Sequence, residues 1–282
     1  MMVGLLCTGL AADIFEIKEI EKILPAIDSP DTLVLFDMDD TLIDSTTMLG
    51  TGQWRKSLRE ESVYMETLRE INAVSQKDKL HDNLTHFVAL HVPVKPVEEK
   101  LPAVVQELQK KVPVLVFTAR GKKRWYSSDI AAIDLMTEAQ LTQAGYSFHE
   151  SILPKELQEL DPATYGNGIL YTSPLKKGAF LKDLIQKTGY RPAKIVFIDD
   201  KLEQVQSVEK AAQELGIPYV GFWYTRVESA HEDFDEAIAA RQLICLISEK
   251  TVLSDVEAAA KEGGPHDLAP YLEAFAQPIS VY

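Results

Sequence analysis

Four short runs of almost uncharged, branched or aromatic residues constrain this chain's fold more than any other feature of its sequence. They are residues 32–36 (TLVLF), 112–117 (VPVLVF), 194–198 (KIVFI) and 219–224 (YVGFWY). An apolar run without alternation is what a strand needs when helices cover both faces of its sheet. Between the runs, residues 96–111 place Val97, Leu101, Val104, Val105 and Leu108 at three- and four-residue steps, and residues 175–187 and 202–215 behave similarly. Strands alternating with helices predict βαβ units and hence an α/β fold: a Rossmann-like parallel sheet flanked by helices, with right-handed crossovers.

Two stretches are too long for simple crossovers. Residues 45–94 are largely charged and helix-prone, notably 54–72, and are expected to form a small helical cap insertion. Residues 125–171 begin with a helix ending near Ala144-Gly145 and continue through Pro154, Asp161-Pro162 and Gly166-Asn167-Gly168 as a loop or small hairpin beside the sheet. The expected organisation is an N-terminal segment (1–29) ending in a helix, a core (30–44 and 95–250), the cap (45–94) and a C-terminal extension (251–282).

With 43 acidic and 29 basic residues the net charge is −14, so nucleic acid is not an expected partner. Any anionic ligand must meet a local group of cations or a bound metal. Cys7 and Cys245 are too few for a disulfide framework and lack zinc-site spacing. No uncharged apolar run reaches the roughly 18 to 20 residues of a membrane-spanning helix. Residues 1–12 (MMVGLLCTGLAA) carry no charge, and Gly9 and Ala11 stand like the −3 and −1 positions of a secretory cleavage site, although no basic residue precedes them. Read as an export-signal remnant they place the protein in the periplasm or outside the cell; read as an ordinary hydrophobic start, in the cytoplasm.

Chemistry is concentrated where the strands end. The first runs into Asp37-Met38-Asp39-Asp40-Thr41, and the third into Asp199-Asp200. Ligands of open α/β sheets bind beyond the carboxyl ends of the strands. Carboxylates two residues apart can hold Mg²⁺ through the side chain of the first and the backbone of the second, leaving the second side chain for proton transfer. Two acidic clusters on one rim make sense only with a cation or lysine to offset their repulsion. Thr118 ends another strand, and Lys176-Lys177 opens a helix, supplying a hydroxyl and an ammonium of the kind a transferring phosphoryl group needs. Arg120 heads a basic group with Lys122, Lys123 and Arg124 that can receive an anionic part of a substrate. His81, His86 and His91 recur every five residues, which scatters them around a helix and disfavours a metal site. Trp54 and Trp125-Tyr126 are candidate pocket walls, with packing the commoner role for each.

The motifs FDMDDTL (36–42), VFTAR (116–120), Lys176/Lys177 and VFIDD (196–200) occur in the order of the haloacid-dehalogenase-like (HAD) superfamily, which the chain resembles over residues 30–45 and 95–225. That resemblance implies a HAD-like core in which Asp37 is a nucleophile forming an aspartyl-phosphate and Asp39 is a general acid, then base. It further implies that Thr118 and one lysine position phosphate, and that Asp200, with Asp199 behind it, completes an Mg²⁺ site with Asp37. Lys177, followed by Gly178 and Phe180-Leu181, is similar to the lysine of an uncharacterised bacterial branch of unknown function, which also shares Gln242 and Leu253-Ser254-Asp255. Asp39 argues against a dehalogenase. The expected function is Mg²⁺-dependent hydrolysis of a small phosphorylated substrate; a phosphotransferase with the same intermediate, and a secreted binding protein on this scaffold, are the alternatives.

Overall fold

The apolar runs form the middle of a seven-stranded sheet in the computed structural model, which describes residues 12–125, 128–129, 132–149, 151–262 and 268–276. In chain order the strands are β1 (Ala12–Ile17), β2 (Thr32–Phe36), β3 (Ile43–Ser45), β4 (Val94–Pro96), β5 (Val114–Thr118), β6 (Arg124–Trp125), β7 (Ser128–Asp129), β8 (Tyr165–Gly166), β9 (Ile169–Tyr171), β10 (Lys194–Asp199) and β11 (Tyr219–Tyr224). The helices are α1 (Gly52–Ser57), α2 (Val63–Glu70), α3 (Lys77–His91), α4 (Leu101–Gln109), α5 (Ile133–Gln143), α6 (Lys177–Thr188), α7 (Leu202–Leu215), α8 (Arg226–Ala230), α9 (Glu236–Glu249), α10 (Asp255–Ala260) and α11 (Ala269–Ala276). The chain divides into two units: the described residues up to Met38 with Ala103–Ala119 and Phe148–Arg226, and Asp39–Pro102 with Arg120–Ser147 and the described residues from Val227 onward.

The first unit holds the sheet, in the order β1-β11-β10-β2-β5-β9-β8. Every neighbouring pair is parallel except β8–β9, a hairpin whose turn places Asn167 and Gly168 at positive φ (49° and 79°), the conformation an Asn-Gly turn favours. Strands β2 and β5 are buried along their whole length, as their unbroken apolar sequence requires. The side chains Leu33, Leu35, Leu115, Phe117, Ile195 and Phe197 share a core with Phe180, Leu181, Leu184 and Ile185 of α6 and Val205, Val208, Ala211 and Ala212 of α7. Pairing of Ile198 with Phe36 sets the register, and the amide of Asp37 donates to Ile198 O at 2.8 Å, so Asp37 and Asp199 leave adjacent strands side by side.

The helix expected in the N-terminal segment is replaced by an edge strand. Ala12–Ile17 (ADIFEI) runs parallel to β11 in register from Ala12 opposite Tyr219 to Ile17 opposite Tyr224. Branched and aromatic Ile14, Phe15 and Ile17 favour extended backbone. After β1 the chain makes only a 3₁₀ segment, Ile20–Ala26, with Pro25 inside it, and proline has no N–H to extend a helix. Residues 1–11, including Cys7, lie outside the described residues.

The second unit is larger than the insertion 45–94. Trp54, Tyr64, Leu68, Leu80, Leu84 and Val88 of α1 to α3, with Leu58 just after α1, share one core with Ala239, Ala240, Leu243 and Leu246 of α9 and Leu268 and Leu272 near and on α11. The apolar face of α9 therefore joins the helical insertion. Antiparallel β3 and β4 close this insertion at its base, with Ile43 opposite Pro96 and Ser45 opposite Val94. Gln242 and Asp255 tie the loop after β3 to the C-terminal helices: Leu49 N donates to Gln242 Oε1 (2.9 Å), Met48 N donates to Asp255 Oδ1 (2.8 Å), and Gln242 Nε2 donates to the same Asp255 oxygen (2.8 Å). Ser254 and Glu257 form a capping box that fixes α10.

Gly178 shows how tightly the first unit is packed. A Cβ added there would lie 2.1 Å from the carbonyl oxygen of Ser207 on α7, which no side-chain adjustment relieves. Gly178→Ala is expected to destabilise the protein by at least about 1–3 kcal/mol, the cost of forcing atoms into a filled core, read as a lower denaturant midpoint; an unchanged midpoint would show that α6 and α7 do not meet this closely.

Candidate active site

Within the first unit, the ends of β2 and β10 and the start of α6 bring Asp37, Asp199, Asp200 and Lys177 together. Lys177 is 2% exposed, and its ammonium donates to Asp37 Oδ1 and, at 2.6 Å, to Asp199 Oδ2. Burial alone depresses an ammonium, but Asp199 and Asp37 more than offset it and hold the Lys177 pKa above its ordinary value. Phe197 and Phe117 flank it, their ring centroids 5.2 and 5.9 Å from Nζ. The second oxygen of Asp199 accepts from Lys201 N at 2.8 Å. Thr118 is buried at the end of β5, where its carbonyl accepts from Thr172 N at 3.0 Å.

The carboxylates of Asp37, Asp199 and Asp200 each offer an oxygen within 4.8 Å of the others, the one grouping of three or more candidate metal ligands among the described residues. Three carboxylates against one ammonium leave a formal excess of about two negative charges, which a divalent cation offsets. All three donors are hard oxygens, so the set suits Mg²⁺ better than zinc or copper.

The chain passes into the second unit after Met38 and again after Ala119, and within that unit Asp39 and Arg120 pair. Arg120 Nε donates to Asp39 Oδ2 at 3.0 Å and Nη2 to Oδ1 at 2.7 Å, the fork geometry that guanidinium and carboxylate share. Arg120 Nη1 donates to Thr137 Oγ1 (3.0 Å) and Gln140 Oε1 (2.7 Å), both on α5. Asp40 turns the chain with φ +62°, and its Oδ2 accepts from Arg55 Nη2 at 2.6 Å, while Arg55 Nη1 donates to Gly50 O. Asp40 thus holds the start of α1 through an ion pair; the strand end leads into a turn and β3. Asp44 on β3 faces His231, whose Nε2 lies 2.9 and 3.0 Å from its two oxygens.

The three histidines of α3 have different surroundings. Burial lowers the His81 pKa, with Arg59 and Arg55 adding to the effect and Asp82 opposing it. His86 is pushed down to about 4, chiefly by burial and then by Arg120 and His91, while His91 is exposed. Trp54 is fully buried, with Nε1 donating to Tyr64 OH at 3.0 Å. Lys176 is exposed as the residue before α6, Lys122 is half-buried and Lys123 exposed. The side chains of Arg124 and Trp125, and all of Tyr126, fall outside the described residues. Three residues of the site's surroundings carry no sequence signal: Arg55, Thr137 and Gln140 are ordinary helix residues, and their partners stand 15 to 20 positions away.

Comparison with known proteins adds a family. Residues 14–259 match the family described as a protein of unknown function (DUF2608). Three relatives, each named "Putative outer membrane protein", are similar over most of their length. Those of Chlamydia trachomatis serovar D and Chlamydia muridarum are 23% identical over 229 residues (80% of this chain, 82% of the relative) and 24% over 230 (78% and 82%). That of Chlamydia pneumoniae is 26% identical over 222 residues (76% and 77%). Among solved structures, a haloacid dehalogenase-like family hydrolase from Streptococcus pneumoniae aligns with a TM-score of 0.39 and 14% identity, covering 71% of this chain and 96% of its own. No helix among the described residues is long and apolar enough to cross a membrane.

Removing the ammonium tests the electrostatics directly. Lys177→Met leaves Asp37 and Asp199 buried without their counter-charge and is expected to cost about 3–5 kcal/mol of stability. Added Mg²⁺ should recover part of that loss, measured as a shift in thermal midpoint larger than in the wild type. A variant as stable as the wild type without metal would mean that the two carboxylates do not depend on Lys177.

Proposed function

We propose that this chain, which belongs to the DUF2608 family, is a Mg²⁺-dependent phosphomonoester hydrolase that works through a phosphorylated Asp37. The observation that carries the reading is Lys177, a buried ammonium bonded to both Asp37 and Asp199, with Asp200 close enough to share a cation with them. The ordered motifs from Asp37 to Asp200 support the same chemistry.

In this reading an Asp37 oxygen attacks phosphorus while the bond to the leaving oxygen breaks. Asp39, two positions further along the chain, delivers a proton to that oxygen. Water then attacks phosphorus, Asp39 takes its proton, and the bond to Asp37 breaks to release inorganic phosphate. Thr118 donates a hydrogen bond from its hydroxyl to a phosphoryl oxygen, and Lys177 offsets the charge that develops there. Asp37, Asp199 and Asp200 would hold Mg²⁺, which when bound neutralises phosphoryl charge and helps orient the group. The name of the chlamydial relatives supports a place in the cell envelope, which separation of membrane and soluble fractions, followed by immunoblotting, tests.

Purified protein should release nitrophenolate from nitrophenyl phosphate only with Mg²⁺, and Asp37→Asn should abolish turnover. Metal-independent hydrolysis, or full activity in Asp37→Asn, would sink the assignment. Asp39→Asn should keep Mg²⁺ affinity and lose about 10² to 10⁴ in steady-state rate, the usual worth of general acid–base catalysis. Nitrophenolate needs little protonation to leave, so this variant should show a burst followed by slow turnover; undiminished turnover without a burst would assign the proton to another residue.

A further inference from the structure

We infer that Arg120 is a positioning residue that fixes the carboxylate of Asp39 for proton transfer, and that it does not bind substrate. The inference rests on the hydrolase reading above. Its basis is the exposure of the pair: the Asp39 side chain is 27% exposed, whereas that of Arg120 is 5% exposed. The member of the pair that solvent or a ligand can reach is the acid.

The guanidinium has little capacity left for an anionic ligand. At least four of its five N–H groups are committed: one each to the two oxygens of Asp39, one to Thr137 and one to Gln140. Gln140 is held in turn, its Nε2 donating to Ala89 O on α3 at 3.0 Å. The result is a relay of fixed orientations from the backbone of α3, through a side chain of α5, to Arg120 and then to Asp39. A fork of this kind engages one lone-pair direction on each carboxylate oxygen and fixes the plane of the group. Asp39 therefore loses rotational freedom while its side chain stays 27% exposed, open to exchange a proton. Lysine cannot replace Arg120 here, because an ammonium offers a point charge with no plane to match the carboxylate.

The test uses nitrophenyl phosphate and an alkyl phosphate with Mg²⁺ on the full-length wild type, Arg120→Lys, Asp39→Asn and the double variant. Arg120→Lys should lower kcat by about 10- to 100-fold, the penalty of a misplaced catalytic group, while KM stays near the wild-type value. The nitrophenolate burst should survive, and the double variant should turn over no more slowly than Asp39→Asn alone, because Arg120 then has no proton carrier to orient. Gln140→Met, which keeps the Asp39–Arg120 pair but removes one of the two α5 acceptors that hold Arg120, should lower kcat by a smaller factor and serves if Arg120→Lys does not fold. A raised KM with kcat unchanged would overturn the inference by making Arg120 a substrate ligand. Losses that multiply in the double variant would overturn it by making Arg120 independent of Asp39. Failure of the hydrolase reading looks different, since the wild type itself would then show no Mg²⁺-dependent, Asp37-dependent turnover.

Discussion

The ammonium of Lys177 is the element on which the sheet's acidic rim depends. Burying a charged group costs several kcal/mol even after the surrounding protein relaxes, and placing carboxylates side by side adds repulsion. Lys177, bonded to Asp37 and Asp199 at once, relieves both, but only if β2 and β10 are neighbours in the register that pairs Phe36 with Ile198. The requirement reaches backward into the sequence. The strands must be apolar enough to lie in the centre of the sheet, and α6 must begin close enough to their ends for a lysine in its first turn to reach both acids.

Gly178 supplies that closeness. The residue after Lys177 has no side chain, and Ser207 of α7 occupies the space one would fill. The lysine's depth in the site and the packing of α6 on α7 are thus one fact seen from two sides. A similar economy governs the other acid. Asp39 is held by Arg120, and the two come only two residues after Asp37 and Thr118 respectively, so the strand ends that carry the buried site also lead into the pair on the second unit.

Much of this was legible in the sequence, because strands β2, β5, β10 and β11 are continuous apolar runs and the acids and lysine come after them in fixed order. Helices α6 and α7 began within about two residues of where their periodicity placed them. Strand β1 was not legible: Asp13 and Glu16 interrupt its apolar residues, and its place is set by β11, two hundred residues downstream, which no local pattern encodes. Strand β4 was hidden for a similar reason, as three residues ending in Pro96 look like the approach to a helix until Ile43–Ser45 pairs with them. At the candidate site, the grouping of Asp37, Asp199 and Asp200 was legible in where the strands end, whereas the partners that hold Asp39 and Asp40 were not. Arg55, Thr137 and Gln140 act through contacts made only once the chain has folded.

The hydrogen bond from Met48 to Asp255 joins residues 207 positions apart, and that from Leu49 to Gln242 joins residues 193 apart. Neither contact can form until the residues from Gln242 to Asp255 have been made, and closing loops of this length costs conformational entropy that local contacts do not. During synthesis, every strand of the large sheet has been made once Tyr224 emerges, while the helical core still lacks α9 and α11. Through that interval the apolar faces of α1, α2 and α3 have no complete partner. A chain stalled between β11 and α9 would hold a finished sheet and an incomplete helical core with its apolar surface open, the kind of species chaperones retain and proteases remove.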